Sequence, residues 1–330
     1  MTVGNGELNF EFVENWQFLP SGDLITEGIG VAVDSKDQVY VFNRSDGKQS
    51  AVLVFDRDCN LLNQWGSTEF TRPHGIWVTP QDTLILTDDL GHRIRHFTTD
   101  GTLLHEIGPS DGTPEETGVE GFDYRKIQPG HGPFNMPTNA VTSSSGEIFA
   151  ADGYGNARVH HFTNKGEYIK SWGTPGDGTG EFNVPHGLGI DAEDRLYVGD
   201  RENSRIQIYS TDGDLLTTWT DVIRPCEIYV AADGLVYVAE LGKRAGLFDW
   251  QERRDDAIGG RISIFDRDSN LLCRWGGGEN PGTPYDYFAP HDIWVDSEGS
   301  IYLGEVSLSA ARVAGLEPQG FPTLRKYRRV

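Results

Sequence analysis

The sequence predicts an all-β protein folded as a closed six-bladed β-propeller, and three observations carry that expectation. A unit of short alternating strands recurs along the chain, three of the six units close on a Trp-Gly pair, and the strand missing from the last unit is present near the start of the chain. The fourth unit shows the pattern most plainly. It runs from Phe182 to Trp219, with turns at Asp191-Ala192-Glu193-Asp194 and Thr211-Asp212-Gly213-Asp214. Its four alternating segments are Gly187–Ile190, Arg195–Val198, Arg205–Tyr209 and Leu215–Trp219. Strands this short and regular, punctuated by Gly and Asp turns, read as blades of four antiparallel strands.

Taken in order, the blades fall at about 28–66, 70–108, 134–173, 182–220, 222–276 and 287–330. The first closes on Trp65-Gly66, the second on Ile107-Gly108, the third on Trp172-Gly173 and the fifth on Trp275-Gly276. The sixth offers Asp292–Val295, Ser300–Leu303 and Leu324–Tyr327, and then the chain ends. Its fourth strand is expected within 7–20, where Phe10–Trp16 alternates and ends in Trp like four of the other five. Pairing there closes the ring and leaves no strand edge exposed at the seam. One domain, 1–330, then uses the whole chain. Helical periodicity is nowhere sustained, although Lys243–Asp256, inside an insertion, has room for a short helix.

Composition narrows the function classes. The formal net charge of −22 repels phosphate backbones, so a nucleic-acid partner is not expected. No run of 18 apolar residues exists, so no membrane-spanning helix is expected. The start, Met1-Thr2-Val3-Gly4, has neither a basic nor an apolar leader region, and the three scattered cysteines, Cys59, Cys226 and Cys273, read as free thiols. Both features point to the cytoplasm.

Three histidines occupy the same place in alternate blades: His74 in Pro73-His74-Gly75, His186 in Pro185-His186-Gly187 and His291 in Pro290-His291-Asp292. They lie 112 and 105 residues apart, and in a ring of six they converge on the axis a third of a turn from one another. A lone buried histidine is usually a packing residue, but three at alternating equivalent positions fit a three-imidazole metal site with an open face. Zinc suits it, and copper, nickel, iron and cobalt also accept three imidazoles. The same position in the other blades is Ile29, Thr138 and Cys226. Cys226 reads as a small buried hydrophobe, His131 as a residue of the glycine-rich loop Gly130-His131-Gly132 with a place at the edge of the site as the lesser alternative, and His92, His96, His160 and His161 as surface or inter-blade residues.

A second set follows the second strand of three blades: Arg44 in Asn43-Arg44-Ser45-Asp46, Tyr154 in Asp152-Gly153-Tyr154 and Arg201 in Asp200-Arg201-Glu202. Arginine grips carboxylates in a two-pronged fork, and a tyrosine beside cations is a candidate general base. The competing reading pairs Arg44 with Asp46 and Arg201 with Glu202 in surface loops.

The phrases Asp152-Gly153-Tyr154-x-Asn156-x-Arg158, Val184-Pro185-His186, Asp200-Arg201-Glu202-Asn203-x-Arg205-Ile206-Gln207 and Pro290-His291-Asp292-Ile293 together resemble the NHL-repeat lyases that finish peptide amidation, the peptidylamidoglycolate lyases. The resemblance runs from about Gly30 to the end of the chain. It implies a six-bladed propeller with catalytic zinc on His74, His186 and His291, Tyr154 as catalytic tyrosine, and Arg44 and Arg201 as active-site arginines. It also implies a structural calcium at Asp292 and the backbone carbonyls of Val31 and Ile76. The implied reaction splits an N-acyl α-hydroxyglycine into an amide and glyoxylate. Unlike the secreted animal enzymes, this chain has Gly155 after Tyr154 and no suitably placed cysteine pair. The segments 111–133, 243–259 and 307–320 are positioned to rebuild the rim. A small carboxylate-bearing N-acyl or ureido α-hydroxy acid is therefore expected rather than a peptide. A propeller lactonase or esterase and a non-catalytic protein-binding scaffold are the alternatives.

Overall fold

The computed structural model describes residues 2–253, 257–313, 315 and 321–330. Six antiparallel sheets form a six-bladed β-propeller. The innermost strands are Gly28–Val33, Pro73–Val78, Asn139–Thr142, Pro185–Ile190, Pro225–Val230 and Pro290–Val295. Each is followed outward by further strands of its blade, and in the fourth blade the order is Leu196–Asp200, Arg205–Tyr209 and Leu215–Trp219. Inner strands are buried along almost their whole length, whereas the outermost are largely exposed, as in Leu61–Trp65 and Leu215–Trp219.

The recurrent Trp has a specific task. It leaves the outer strand of one blade and packs on an aromatic of the third strand of the next. Trp65 meets Phe97 at 5.0 Å, Trp172 meets Tyr209 at 5.8 Å, Trp219 meets Phe265 at 5.7 Å and Trp275 meets Tyr327 at 6.0 Å between ring centroids. Such pairs contribute about 0.5–1.5 kcal/mol each beyond the area they bury. The turn glycine of the next blade makes room for the indole. A Cβ on Gly101, where φ is +90°, would lie 2.7 Å from the Trp65 ring.

The N-terminal strand closes the ring as expected. Leu8–Val13 pairs antiparallel with Leu324–Arg329, setting Phe10 opposite Arg329 and Val13 opposite Lys326. The strand ends at Val13 rather than continuing to residue 20. Trp16 lies beyond it, yet still performs the indole task, packing 5.9 Å from Phe55 of the first blade and 5.1 Å from Tyr302 of the sixth. A further strand, Thr2–Asn5, pairs outside Leu8–Val13, so the sixth blade has five strands.

The helix expected over Lys243–Asp256 does not form among its described residues 243–253, where the chain runs through turns; Asp256 lies outside the described residues. A helix appears instead at Ser307–Val313. Among the described residues, no helix is long and apolar enough to cross a membrane. Cys59, Cys226 and Cys273 are free thiols.

Phe10 of the closing strand is fully buried against Trp275 of the fifth blade, with centroids 5.4 Å apart. Phe10→Ala is expected to cost about 3–5 kcal/mol of stability, the range for emptying a buried aromatic site. Equilibrium chemical denaturation measures it, and a cost below about 1 kcal/mol would mean that the seam is not held by this strand.

Candidate metal centre and active site

Antiparallel strands place the start of every first strand and the end of every second strand on one face of the ring. That is why the histidines, Arg44, Tyr154 and Arg201 share a face although they come from separate blades. Each histidine sits in or beside a break in pairing with the second strand, at Pro73/Ile76, Pro185/Leu188 and Pro290/Asp292. Such bulges re-aim a side chain, here toward the axis.

The three imidazoles meet there. Ring centroids are 4.9 Å apart for His74 and His186, 4.7 Å for His74 and His291 and 4.9 Å for His186 and His291, and all three side chains are buried. One nitrogen of each lies within 4.8 Å of those of the other two. The opposite nitrogens are pinned. His74 Nδ1 donates to the Thr138 carbonyl at 2.6 Å, His186 Nδ1 to that of Cys226 at 2.9 Å and His291 Nδ1 to that of Ile29 at 2.8 Å. A carbonyl only accepts, so each ring carries its proton on Nδ1 and presents a lone pair at Nε2. Ile29, Thr138 and Cys226 are the positions that alternate with the histidines around the ring, so one set of blades supplies imidazoles and the other supplies the carbonyls that orient them.

Tyr154 lies over two of these lone pairs, its Oη 3.2 Å from His74 Nε2 and 3.0 Å from His186 Nε2. The phenol has one proton, so it satisfies at most one of them. His291 Nε2 is buried with no hydrogen-bond partner among the described residues. At least two buried imidazole lone pairs therefore converge without a donor, and a cation with vacant coordination positions answers that arrangement. Burial holds all three imidazoles neutral. It depresses His74 and His186 well below the usual histidine range, with neighbouring imidazoles and arginines adding to the effect, and it takes His291 down to about 3.

Tyr154 reaches this place because Gly153 lets the chain pass close to the fourth blade: a Cβ there would lie 1.9 Å from the Pro185 carbonyl oxygen. Arg201 Nη1 donates to Tyr154 Oη at 3.3 Å, and its guanidinium lies 5.3 Å from the centre of the phenol ring. Arg201 does pair with Glu202, at 2.8 Å, but the pair is buried rather than in a surface loop. Burial opposes ionisation of Glu202, yet Arg224 and Arg201 prevail and hold its carboxyl at about 2. The partner of Arg44 is Glu27, at 3.5 Å, not Asp46. Arg44 also donates to the Pro73 carbonyl and, at 2.9 Å, to Ser309 Oγ.

Arg44, Tyr154, Arg201 and His291 line a cavity of about 120 Å³. Arg72, Phe122, Cys226, Leu241, Gly246, Phe248, Val306, Ser309, Ala310 and Val313 complete its wall. All three inserted segments thus contribute residues to the site. At the other end of the channel Trp294 packs 5.0 Å from Trp77 and 4.6 Å from Tyr229, so inner-strand aromatics crowd that end.

The NHL repeat family matches residues 182–209. The chain is 27% identical to the peptidylglycine alpha-amidating monooxygenase of Rattus norvegicus, over 88% of this chain and 32% of the rat protein. It is 29% identical to peptidyl-alpha-hydroxyglycine alpha-amidating lyase 1 of Drosophila melanogaster, over 83% of this chain and 50% of the fly protein. The chain is an amidating-lyase-like NHL-repeat protein. It spans a third of the length of the rat relative and half that of the fly relative. The fold also matches virginiamycin B lyase from Staphylococcus aureus, with a TM-score of 0.56 and 14% identity over 90% of this chain and 82% of that one.

In this amidating-lyase-like chain, several site residues escaped sequence reasoning. Arg72 directly precedes the Pro-His phrase, but nothing in the repeat distinguishes it from a surface arginine. It grips Asp89 through both carboxylate oxygens and lies 4.7 Å over the Phe122 ring. Phe122 and Phe248 come from insertions without repeat periodicity. Glu227 was missed too. It follows Cys226 as Asp292 follows His291, which is the signal that would have revealed it. Asp292 is buried beside Gly30 and accepts the Val31 N–H at 3.3 Å. Ile76 lies against the same glycine. Burial pushes both carboxyls well above their usual range, and the Asp292 charge raises Glu227 further. Neither has an ion pair among the described residues. Cys226 lines the cavity with its thiol pushed up to about 11 by burial. His131 instead faces Glu115, 3.8 Å away and outside the cavity wall, and His160 is fully buried against Asp152 and Ser171 rather than at the surface.

The depressed imidazoles set a pH dependence. Each is neutral when folded and protonates near pH 6.5 when unfolded, so below that pH the unfolded chain binds more protons and stability falls. The metal-free protein is expected to lose up to about 1.4 kcal/mol per pH unit per histidine from pH 6.5 toward pH 3. Denaturant titrations at stepped pH read this slope. The His74→Ala/His186→Ala variant should show a shallower one, and equal slopes would remove the histidines as its cause.

Proposed function

We propose that this protein is a zinc-dependent carbon–nitrogen lyase that splits an N-acyl or ureido α-hydroxyglycine into an amide and glyoxylate. The observation that carries the reading is the convergence of three Nε2 lone pairs beside Tyr154 Oη and Arg201, at the base of a cavity rich in arginine. The likeness to amidating lyases supports it.

His74, His186 and His291 would hold the zinc, which when bound acts as a Lewis acid and lowers the pKa of a substrate hydroxyl. The carboxylate end of the substrate sits among Arg201, Arg44 and Arg72. Arg201 Nη2 and Arg72 Nη1 have no hydrogen bond among the described residues and are free to donate to it. Tyr154 removes the hydroxyl proton. The electron pair left on oxygen forms the aldehyde carbonyl, the C–N bond breaks, and the departing nitrogen takes the proton. No water is consumed, so atoms balance as one amide and one glyoxylate. Arg201 keeps Tyr154 Oη in place through its Nη1 bond.

Calcium would sit at Asp292, with Glu227 beside it and the Val31 and Ile76 carbonyls completing the set. Two buried carboxyls without a counter-cation among the described residues fit a hard divalent ion bound by oxygens.

Elemental analysis is expected to give about one zinc per chain, lost in His74→Ala/His186→Ala. Tyr154→Phe should retain zinc and lose about 10²–10⁴-fold in kcat for glyoxylate release, the usual contribution of a general base. Undiminished turnover in Tyr154→Phe would remove that residue as the base, and absence of zinc even after reconstitution would remove the metal.

A further inference from the structure

The lyase reading leaves open what is attached to the amide nitrogen, and the cavity wall bears on it. Its polar side carries the guanidiniums of Arg44, Arg72 and Arg201 with Tyr154, whereas the remainder is dominated by apolar side chains such as Leu241, Val306 and Ala310. The hydroxyl of Ser309 is already engaged, donating to Glu27 at 2.6 Å and accepting from Arg44.

Two insertions meet over this space as a continuous aromatic tier. Phe122, from segment 111–133, stacks on Phe248, from segment 243–259, at 6.0 Å and 16° between planes. Phe248 stacks in turn on Trp250 at 5.6 Å and 7°. Trp250 is packed by Tyr124, edge-on at 4.7 Å, and by the Arg125 guanidinium at 4.2 Å. At its inner end Phe122 meets the Tyr154 ring edge-on at 5.6 Å. The roof is therefore braced at one end against the residue proposed to do the chemistry and at the other against the rim.

We propose, resting on the lyase reading, that this cavity selects α-hydroxyglycines with a short apolar acyl group, and that Phe122 and Phe248 are its specificity-determining residues. A peptidyl chain brings amide N–H and carbonyl groups, and a carbamoyl group brings an NH₂. Against aromatic and aliphatic walls those groups lose water without gaining a partner, a cost that an aliphatic or aryl acyl group avoids. Phe122 and Phe248 form part of that wall and offer such groups no hydrogen-bond partner.

The test uses the zinc-loaded full chain with N-benzoyl-, N-carbamoyl- and dipeptidyl-α-hydroxyglycine, following glyoxylate. The expected kcat/KM for the benzoyl compound exceeds the other two by about tenfold or more, as unmet polar groups in an apolar site dictate. Phe122→Ala and Phe248→Ala, with zinc content and melting temperature checked, should each narrow the benzoyl-to-dipeptidyl ratio by about tenfold. Equal kcat/KM values, or a ratio unmoved in both variants, overturn the proposal. If no compound yields glyoxylate, the lyase reading fails, and calorimetric binding of the unreactive N-benzoylglycine, N-carbamoylglycine and a glycine-terminated tripeptide still reads the roof. Tighter binding of the benzoyl compound that weakens on removal of Phe122 or Phe248 supports it, and indifferent affinities overturn it.

Discussion

Three neutral imidazoles are held to one buried point by three carbonyls from the blades between them, and the rest of the molecule is arranged around that constraint. The pin of His291 is the Ile29 carbonyl, so it crosses the seam between the sixth and first blades. A ring left open at the seam would release one imidazole from its orientation. The strand Leu8–Val13 and the indole of Trp16, far from the axis, thus serve the site by keeping Ile29 and His291 in register. Stability and chemistry meet at this seam: the site exists only in the closed ring.

The alternation around the axis divides labour in a way that single-residue reasoning does not anticipate. Blades two, four and six give side chains to the centre. Blades one, three and five give backbone, and their side chains at that position, Ile29, Thr138 and Cys226, are chosen for fully buried packing. One residue further along each inner strand lie Gly30, Gly75, Asn139, Gly187, Glu227 and Asp292. The three glycines leave the room that the longer polar side chains fill. A Cβ at Gly187 would lie 2.8 Å from Glu227 Oε1, and one at Gly75 would lie 2.6 Å from Asn139 Oδ1. Asn139 donates to Glu227, which ties this polar layer together across the channel.

What the sequence disclosed was whatever repeats. The alternation of strands, the Trp-Gly endings and the Pro-His phrases recur, so blade order, the axial histidines and the residues after each second strand were legible. What it concealed was whatever occurs once. Phe122 and Phe248 have no counterparts in other blades by which to judge them, and the counterpart of Arg72, Arg224, precedes Pro225-Cys226 rather than a Pro-His phrase. The insertion 243–259 offered helix formers such as Ala245 and Leu247, yet its backbone is committed elsewhere: the carbonyls of Ala245 and Gly246, with that of Gly242 just before them, all accept from the Arg224 guanidinium. A buried cation thus overrides local propensity, and Arg224 in turn steadies Glu202 and, through it, Arg201.

Charge accounting within the cavity shows what binding an anion there requires. The chain as a whole carries −22, a field that opposes a carboxylate substrate. Locally, Arg44 is matched by Glu27 and Arg72 by Asp89, so neither offers an uncompensated positive charge. Glu202 is shared by Arg201 and Arg224, which leaves one surplus positive charge, and Arg201 delivers it to the side of Tyr154. The imidazoles contribute none, because burial keeps them neutral. Under the proposed reading, then, most of the attraction for an anionic substrate must come from the metal, and the arginines act chiefly as fixed donors that set its orientation. An acidic protein can accept an anion on those terms, since a buried divalent charge acts at short range in a site of low dielectric while the surface field is screened by salt within about 8–10 Å.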